Sequence, residues 1–285
     1  MGVLQNKIDF AALVTVKKAN INGDPLSGNR PREDYDGYGI FSDVAIKRKI
    51  RNRLQDMGEK IFVQSDDRSD DGYKSLKERA DKCEEFQKEA GKGKKADAEK
   101  CAQIACKEWI DVRSFGQVFA FKGDTVSIGV RGPVSIHQGT SVSPIQVTEM
   151  QIVKSVNSES KDSRASDTMG MKYFVDFGLY VIRGSINCQL AEKTGFSDED
   201  AEKIKQALAT LFENDASAAR PEGSCEVRRL YWWKHNEKTP KETSAMIQRS
   251  LQIKPREGVE IPKEFSDYEI TPKEKLLGNP EIIEF

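Results

Sequence analysis

Ile8, Phe10, Ala12, Val14 and Val16 fall on every second position of a run, Lys7 to Lys18, that contains no turn signal. Only an extended strand puts such a set on one face, so the fold must include a half-buried β-strand packed against something apolar. The next stretch, ANINGDPLSGNRPR at 19–32, has three Asn, two Gly, two Pro and no apolar run, and it closes on two arginines. A polar segment that long cannot fill a core; it contacts something or it is slack. Beyond it, FSDVAIKRKIRNRLQDMG reads as a helix capped at Ser42 and stopped at Gly58. Ile46, Ile50, Leu54 and Met57 make its apolar stripe, while Lys47, Arg48 and Arg51 share one flank.

The texture changes at Gln64. An acidic turn, SDDRSDDG, precedes what reads as two charged helices broken at Gly91 and Gly93, with few large apolar residues. Such a segment buries little by itself, so 64–110 is expected to be an insertion on the main domain. Strand patterns return in DVRSFGQVFAF, TVSIGVRGPVSIH and PIQVTEMQIVKSV. A second polar stretch, NSESKDSRASDTMG at 157–170, lies between strands, which describes a protruding hairpin. A capped helix from Ser197 with three acids in its first turn and the strand EVRRLYWW follow, and the tail after Thr239 is irregular and spaced with prolines. Strand, helix, strand, strand, helix, strand is the βαββαβ order of an α+β, ferredoxin-like or RRM-like sheet with helices on one face.

Composition narrows the function. The 285 residues carry 45 basic and 46 acidic side chains, so total charge does not argue for a polyanionic partner and only its distribution can. That distribution is uneven: 42–57 has five basic and two acidic residues beside the arginines of the long loop. Helix N-termini and guanidinium forks are natural phosphate ligands, although a charged flank is also what any solvated helix shows. EVRRLYWWK interleaves basic and aromatic residues as a base-stacking platform would, or as a core strand would. Asp24, on the loop beside arginines, could help a metal cleave a phosphodiester; Asp-Pro after Asn-Gly is also ordinary turn chemistry. His137 and His235 have no catalytic partner nearby in sequence, and no Walker or dinucleotide motif is present. Five cysteines with no CxxC pair and two histidines give no zinc-type ligand set and point to a reducing compartment. The start MGVLQNKIDF has neither the charge nor the apolar run of a signal peptide, and no membrane span is expected.

Several stretches taken together resemble one family: NINGDPLSGNRPR, GIFSDVAIKRKIR, DVRSFGQVFAF, GVRGPVSIHQGTSVSPIQVT and MGMKYFVDFGLYVIRG. They are similar, in the family's order from about residue 8 to 235, to the repeated backbone subunit of CRISPR type I Cascade complexes, of the type I-C form. The resemblance implies one modified RRM palm spanning 1–285, a helical finger insertion at 64–110 and a β-hairpin thumb at 143–172. It implies a non-catalytic cytoplasmic protein, without cofactor or metal, that polymerises head to tail along a CRISPR RNA and presents the guide to target DNA. The large subunit and the subunit that holds the RNA handle are its further implied partners; no membrane is. By motif position the RNA backbone would be held by Asn22, Arg30, Arg32, Ser42, Lys47 and Arg51, with Arg48 beside them. Met169 or Met171 would stand against a displaced nucleotide. The resemblance also keeps an alternative open, because type III relatives cut RNA with an aspartate in the same loop region, where Asp24 lies. A stand-alone RNA-processing relative would need a histidine-centred site, for which the sequence offers no plausible residues.

Overall fold

A computed structural model describes residues 2–121, 127–153 and 169–285. The apolar run forms β1 (Ile8–Ala19). The long polar loop is not slack: β2 (Gly23–Asp24) and β3 (Arg30–Pro31) make a small hairpin around a 3-10 turn at Pro25–Ser27. Then come β4 (Tyr38–Phe41) and α1 (Asp43–Asp56), with Ser42 as its cap. The insertion holds α2 (Leu76–Lys82), α3 (Glu84–Ala90) and α4 (Ala98–Glu108). It continues into α5 (Ile110–Phe115) and the hairpin β5 (Gly116–Phe119) and β6 (Ile128–Arg131). The second half has β7 (Val134–Ile136), β8 (Gly139–Pro144), β9 (Val147–Val153) and the long β10 (Met169–Ile186). These are followed by α6 (Cys188–Thr194), α7 (Asp198–Ala209) and β11 (Cys225–Lys234). The tail adds α8 (Ser244–Ser250), β12 (Ile253–Pro255), β13 (Tyr268–Ile270) and β14 (Glu281–Glu284).

The main sheet runs β14-β11-β1-β10-β8-β4, with β7 and β9 also paired to β10. β1 lies antiparallel between β10 and β11. Its even-numbered side chains, Phe10, Ala12, Val14 and Val16, join Ile46, Ile50 and Leu54 of α1 and Ile204 and Leu208 of α7 in one core. Its odd-numbered Ala11 and Leu13 belong to a second core with Leu179, Tyr231, Trp233 and the tail residues Ile247, Leu251 and Tyr268. The strand is therefore buried on both faces, where alternation predicts one. The irregular tail makes the difference, because it lies over the face that the helices leave open. A buried group pins it there: His235 Nε2 lies 2.8 Å from Asp9 Oδ2, and Lys7 Nζ donates to Ser244 Oγ at the start of α8 at 2.5 Å. Burial raises the affinity of the Asp9 carboxyl for a proton, but contacts with His235, Ser244 and Lys7 outweigh it and hold the group below its ordinary value.

Two further expectations are corrected. DVRSFGQVF is not a continuous strand. Its first half is α5, where the Arg113 guanidinium grips both oxygens of Asp200, at 3.0 and 2.7 Å. Gly116, at φ +83°, turns the chain into β5 at a point where a Cβ would meet Val130 O at 2.3 Å. The insertion also does bury a core of its own. Phe62, Trp109 and Phe119, from its borders, pack around Phe86 with ring centroids 4.7 to 6.3 Å apart, and Cys101, Ala105 and Ile128 complete the cluster. EVRRLYWWK is a core strand rather than a stacking platform: Tyr231, Trp232 and Trp233 are buried, and Trp233 Nε1 donates to Leu277 O at 2.8 Å. Among the described residues no helix is long and apolar enough to cross a membrane.

Candidate nucleic-acid interface

The β2–β3 hairpin, β4 and the start of α1 surround an open cleft of about 320 Å³, lined by Asp24, Ser27, Arg30, Pro31, Arg32, Glu33, Ile40, Ser42 and Gln138. The geometry is fixed by side chains that cap rather than pack. Asn22 Oδ1 accepts from the Ser42 amide at 2.9 Å, which locks the loop to the helix start, and Ser42 Oγ accepts from the Ala45 amide at 3.3 Å. Gly28, at φ +62°, closes the hairpin turn in the left-handed conformation that glycine adopts without cost. Asn22 O takes the Arg32 amide at 3.2 Å, and Arg32 O takes the Ile40 amide at 2.8 Å. The two arginines are thereby presented from a rigid frame.

Three of the residues predicted from sequence, Arg30, Arg32 and Ser42, line this cleft; Asn22 stands behind it through its bond to the Ser42 amide, and Lys47 lies little more than one turn along α1 from its mouth. Each cation already has a carboxylate. Arg32 lies 3.2 Å from Asp24, and Lys47 lies 3.0 Å from Asp43. Arg30 bonds to Glu149 of β9, lies 3.6 Å from Glu33, and rests with its guanidinium carbon 5.7 Å from the centroid of the Tyr173 ring. Asp24 itself is spent on the turn: it accepts from the Leu26 amide at 3.3 Å and from Ser27 Oγ at 3.0 Å. Among the described residues no group of three His, Cys, Asp or Glu side chains is placed to hold a metal ion.

The other half of the predicted basic track turns elsewhere. Arg51 Nε donates at 2.9 Å to Asp111, a fully buried carboxylate that also accepts the Phe62 and Val63 amides at 2.7 and 3.1 Å. Arg48 donates to Val63 O at 2.7 Å, and burial, with the nearby Arg51 charge, lowers its affinity for its proton. Both side chains brace the insertion against α1. Met169 and Met171 stand on the arm formed by β9 and β10, whose register runs from Val147 opposite Val175 to Val153 opposite Met169. Met169 is 59% exposed and Met171 is 46% exposed, and Met150 and Ile152 on β9 are exposed with them. The rest of the second polar stretch, 157–168, lies outside the described residues.

Glu149, Tyr173 and Gln138 were not legible as site residues. Glu149 and Tyr173 sit in ordinary alternating strand segments, and only the folding of β9 and β10 over the hairpin brings them to Arg30; Gln138 lies in the short connection between β7 and β8.

The family model described as CRISPR-associated protein Cas7 matches residues 6–273. The chain is 25% identical over 243 residues to the CRISPR-associated protein Cas7 of Haloferax volcanii, covering 79% of this chain and 69% of that one. Among solved structures, a chain of a CRISPR RNA-guided surveillance complex, pre-nicking, superposes with a TM-score of 0.48 at 16% identity, over 79% of this chain and 77% of that one. A second chain, of a CRISPR RNA-guided surveillance complex, gives 0.45 at 17% identity, over 79% and 68%.

Proposed function

The chain belongs to the Cas7 family of CRISPR-associated proteins, and from that premise we propose that it is the repeated, non-catalytic backbone subunit of a type I-C surveillance complex. Copies join head to tail along the spacer of a CRISPR RNA and hold the guide for pairing with target DNA. The large subunit and the handle-binding subunit complete the assembly, in the cytoplasm. In this reading the main sheet with α1 and α7 is an RRM-like palm; the order β11-β1-β10-β8 supports it, since a βαββαβ chain places its fourth, first, third and second strands in that sequence. The insertion at 64–110 is the finger, and the β9–β10 arm within 143–172 is the thumb, with Met169 toward the RNA.

The observation that carries the reading is the rigid cleft at the end of β1, where Arg30 and Arg32 converge beside the capped start of α1. A sequence-independent filament must grip phosphate and sugar and leave base edges free, which asks for guanidinium groups and backbone amides. Asn22 and Ser42 hold that frame, and Lys47 extends its charge along α1. Titration of single-stranded RNA against salt tests it: Arg30→Ala with Arg32→Ala lowers the slope of log K on log salt by about 1.4, the value for two phosphate contacts on a single strand. An unchanged slope places the RNA elsewhere.

A metal-dependent ribonuclease built on Asp24 is the second reading, kept because that carboxylate faces the same cleft. Its bonds to Leu26, Ser27 and Arg32 favour a structural role. Incubation of the protein and guide with complementary RNA, with and without magnesium, separates the two; cleavage that Asp24→Asn abolishes would establish the enzyme.

A further inference from the structure

Arg30 reaches the protein surface yet spends its charge inside the molecule. Its guanidinium holds Glu149 on β9 and lies against the Tyr173 ring on β10. Glu149 and Tyr173 are directly opposite in the β9–β10 register, so they share one face of the arm. A single side chain from the loop thus joins the loop to both strands of the arm. A Cβ added at Gly28, at the hairpin turn, would meet the ring of the same tyrosine at 3.9 Å.

We infer that Glu149 is an anion placeholder for the phosphate site: it occupies Arg30 and ties the arm to the loop until an RNA phosphate displaces it. The inference rests on the reading of this cleft as the RNA-backbone site. A carboxylate and a phosphodiester present the same pair of oxygens to a guanidinium fork, so the two compete for one donor face. Glu149 is half exposed, which leaves the pair open to such exchange. A lone phosphate gains little by replacing one anion with another. A strand of RNA makes the exchange at Arg30 and Arg32 together, with Asp24 giving way at the second, and further contacts along the strand add by avidity. Isolated anions are therefore refused and a continuous backbone is accepted. Displacement also removes the ion pair between the loop and β9, because the same bond does both jobs, so seating of RNA and loss of that tie are one event.

The test compares wild type, Glu149→Gln and Glu260→Gln, the last of which removes the same charge at an exposed tail carboxylate that is not part of the cleft lining. Binding of labelled single-stranded RNA is measured by anisotropy at low salt, with a short RNA that spans one subunit. Glu149→Gln binds about two- to five-fold tighter, the range set by losing one exposed ion pair, and Glu260→Gln matches wild type. A pair that only held the arm in its binding position would give a loss instead. Equal or weaker binding by Glu149→Gln overturns the inference, and so does an equal gain in Glu260→Gln. If thermal melting shows Glu149→Gln unfolded, Glu149→Asp, which keeps the charge and shortens its reach, replaces it with the same expected direction. Failure of the wild type to bind RNA at all overturns the reading of the cleft, a different result from binding that Glu149 does not influence.

Discussion

Arg32 and Arg51 each face one aspartate, and the two pairs do opposite work. Arg32 is 38% exposed and its Asp24 partner 27%, at 3.2 Å. Arg51 is 12% exposed, and Asp111 is fully buried, at 2.9 Å. In water the first pair is worth about 0–1 kcal/mol and exchanges readily with another anion. The second cannot be traded, since removing one member strands the other in a dry site. From sequence both arginines belong to one positive track. Burial of the partner separates them into an exposed, exchangeable pair and a brace.

Asp111→Ala should show the largest effect. It strands the Arg51 guanidinium and the Phe62 and Val63 amides together, and it should cost about 3–5 kcal/mol, read from the urea midpoint. Arg51→Ala leaves those two amides their acceptor, so about 1.5–3 kcal/mol is expected for the lost charged hydrogen bond. Salt titration of whatever Arg51→Ala protein remains folded should then give the wild-type slope; a fall by one contact would return Arg51 to the RNA track and dissolve the contrast. The Arg30 and Arg32 double variant is the converse: its RNA slope falls, while its stability stays within about 1 kcal/mol of wild type. Smallest is an acid effect on the buried side of the comparison. The Asp9 carboxyl is held below its ordinary value of 3.8, so its share of stability is complete above that value and is lost as pH falls through the lower folded value. Hydrogen exchange at α8 should accelerate in that acid window before exchange at β1 does; protection that stays equal would mean that the Asp9 clasp does not hold the tail.

What was legible followed periodicity and caps. β1, the α1 stripe with its Ser42 cap, α7 behind Ser197 and the strand 225–234 all stand where the pattern places them. Local signals failed where distant residues decide. Nothing in IKRKIR distinguishes a lysine that meets a surface aspartate from an arginine that meets Asp111, because the difference arises 60 residues away. The insertion looked too polar to have a core because most of that core's aromatic residues, Phe62, Trp109 and Phe119, come from the margins and close around the single Phe86. The tail looked irregular because its contribution is a scatter of single anchors, Ile247, Leu251, Tyr268 and Leu276, rather than a periodic face. At the cleft, the arginines, the cap and Asp24 were readable, and Glu149, which reaches Arg30 from 119 residues away, was not.

The central position of β1 carries a cost during synthesis. It is apolar on both faces and made before either of its neighbours in the sheet, β10 and β11, whose pairing residues run from 175 to 186 and from 225 to 234. At the usual pace of a ribosome the strand waits on the order of ten to thirty seconds for the first of them. Throughout that interval its two greasy sides and both hydrogen-bonding edges are unclaimed, the condition in which nascent chains stick to one another. Recovery of this protein in active form should therefore depend on how quickly it is made and on what escorts it, to a degree that the finished molecule, with β1 at its centre, gives no outward sign of.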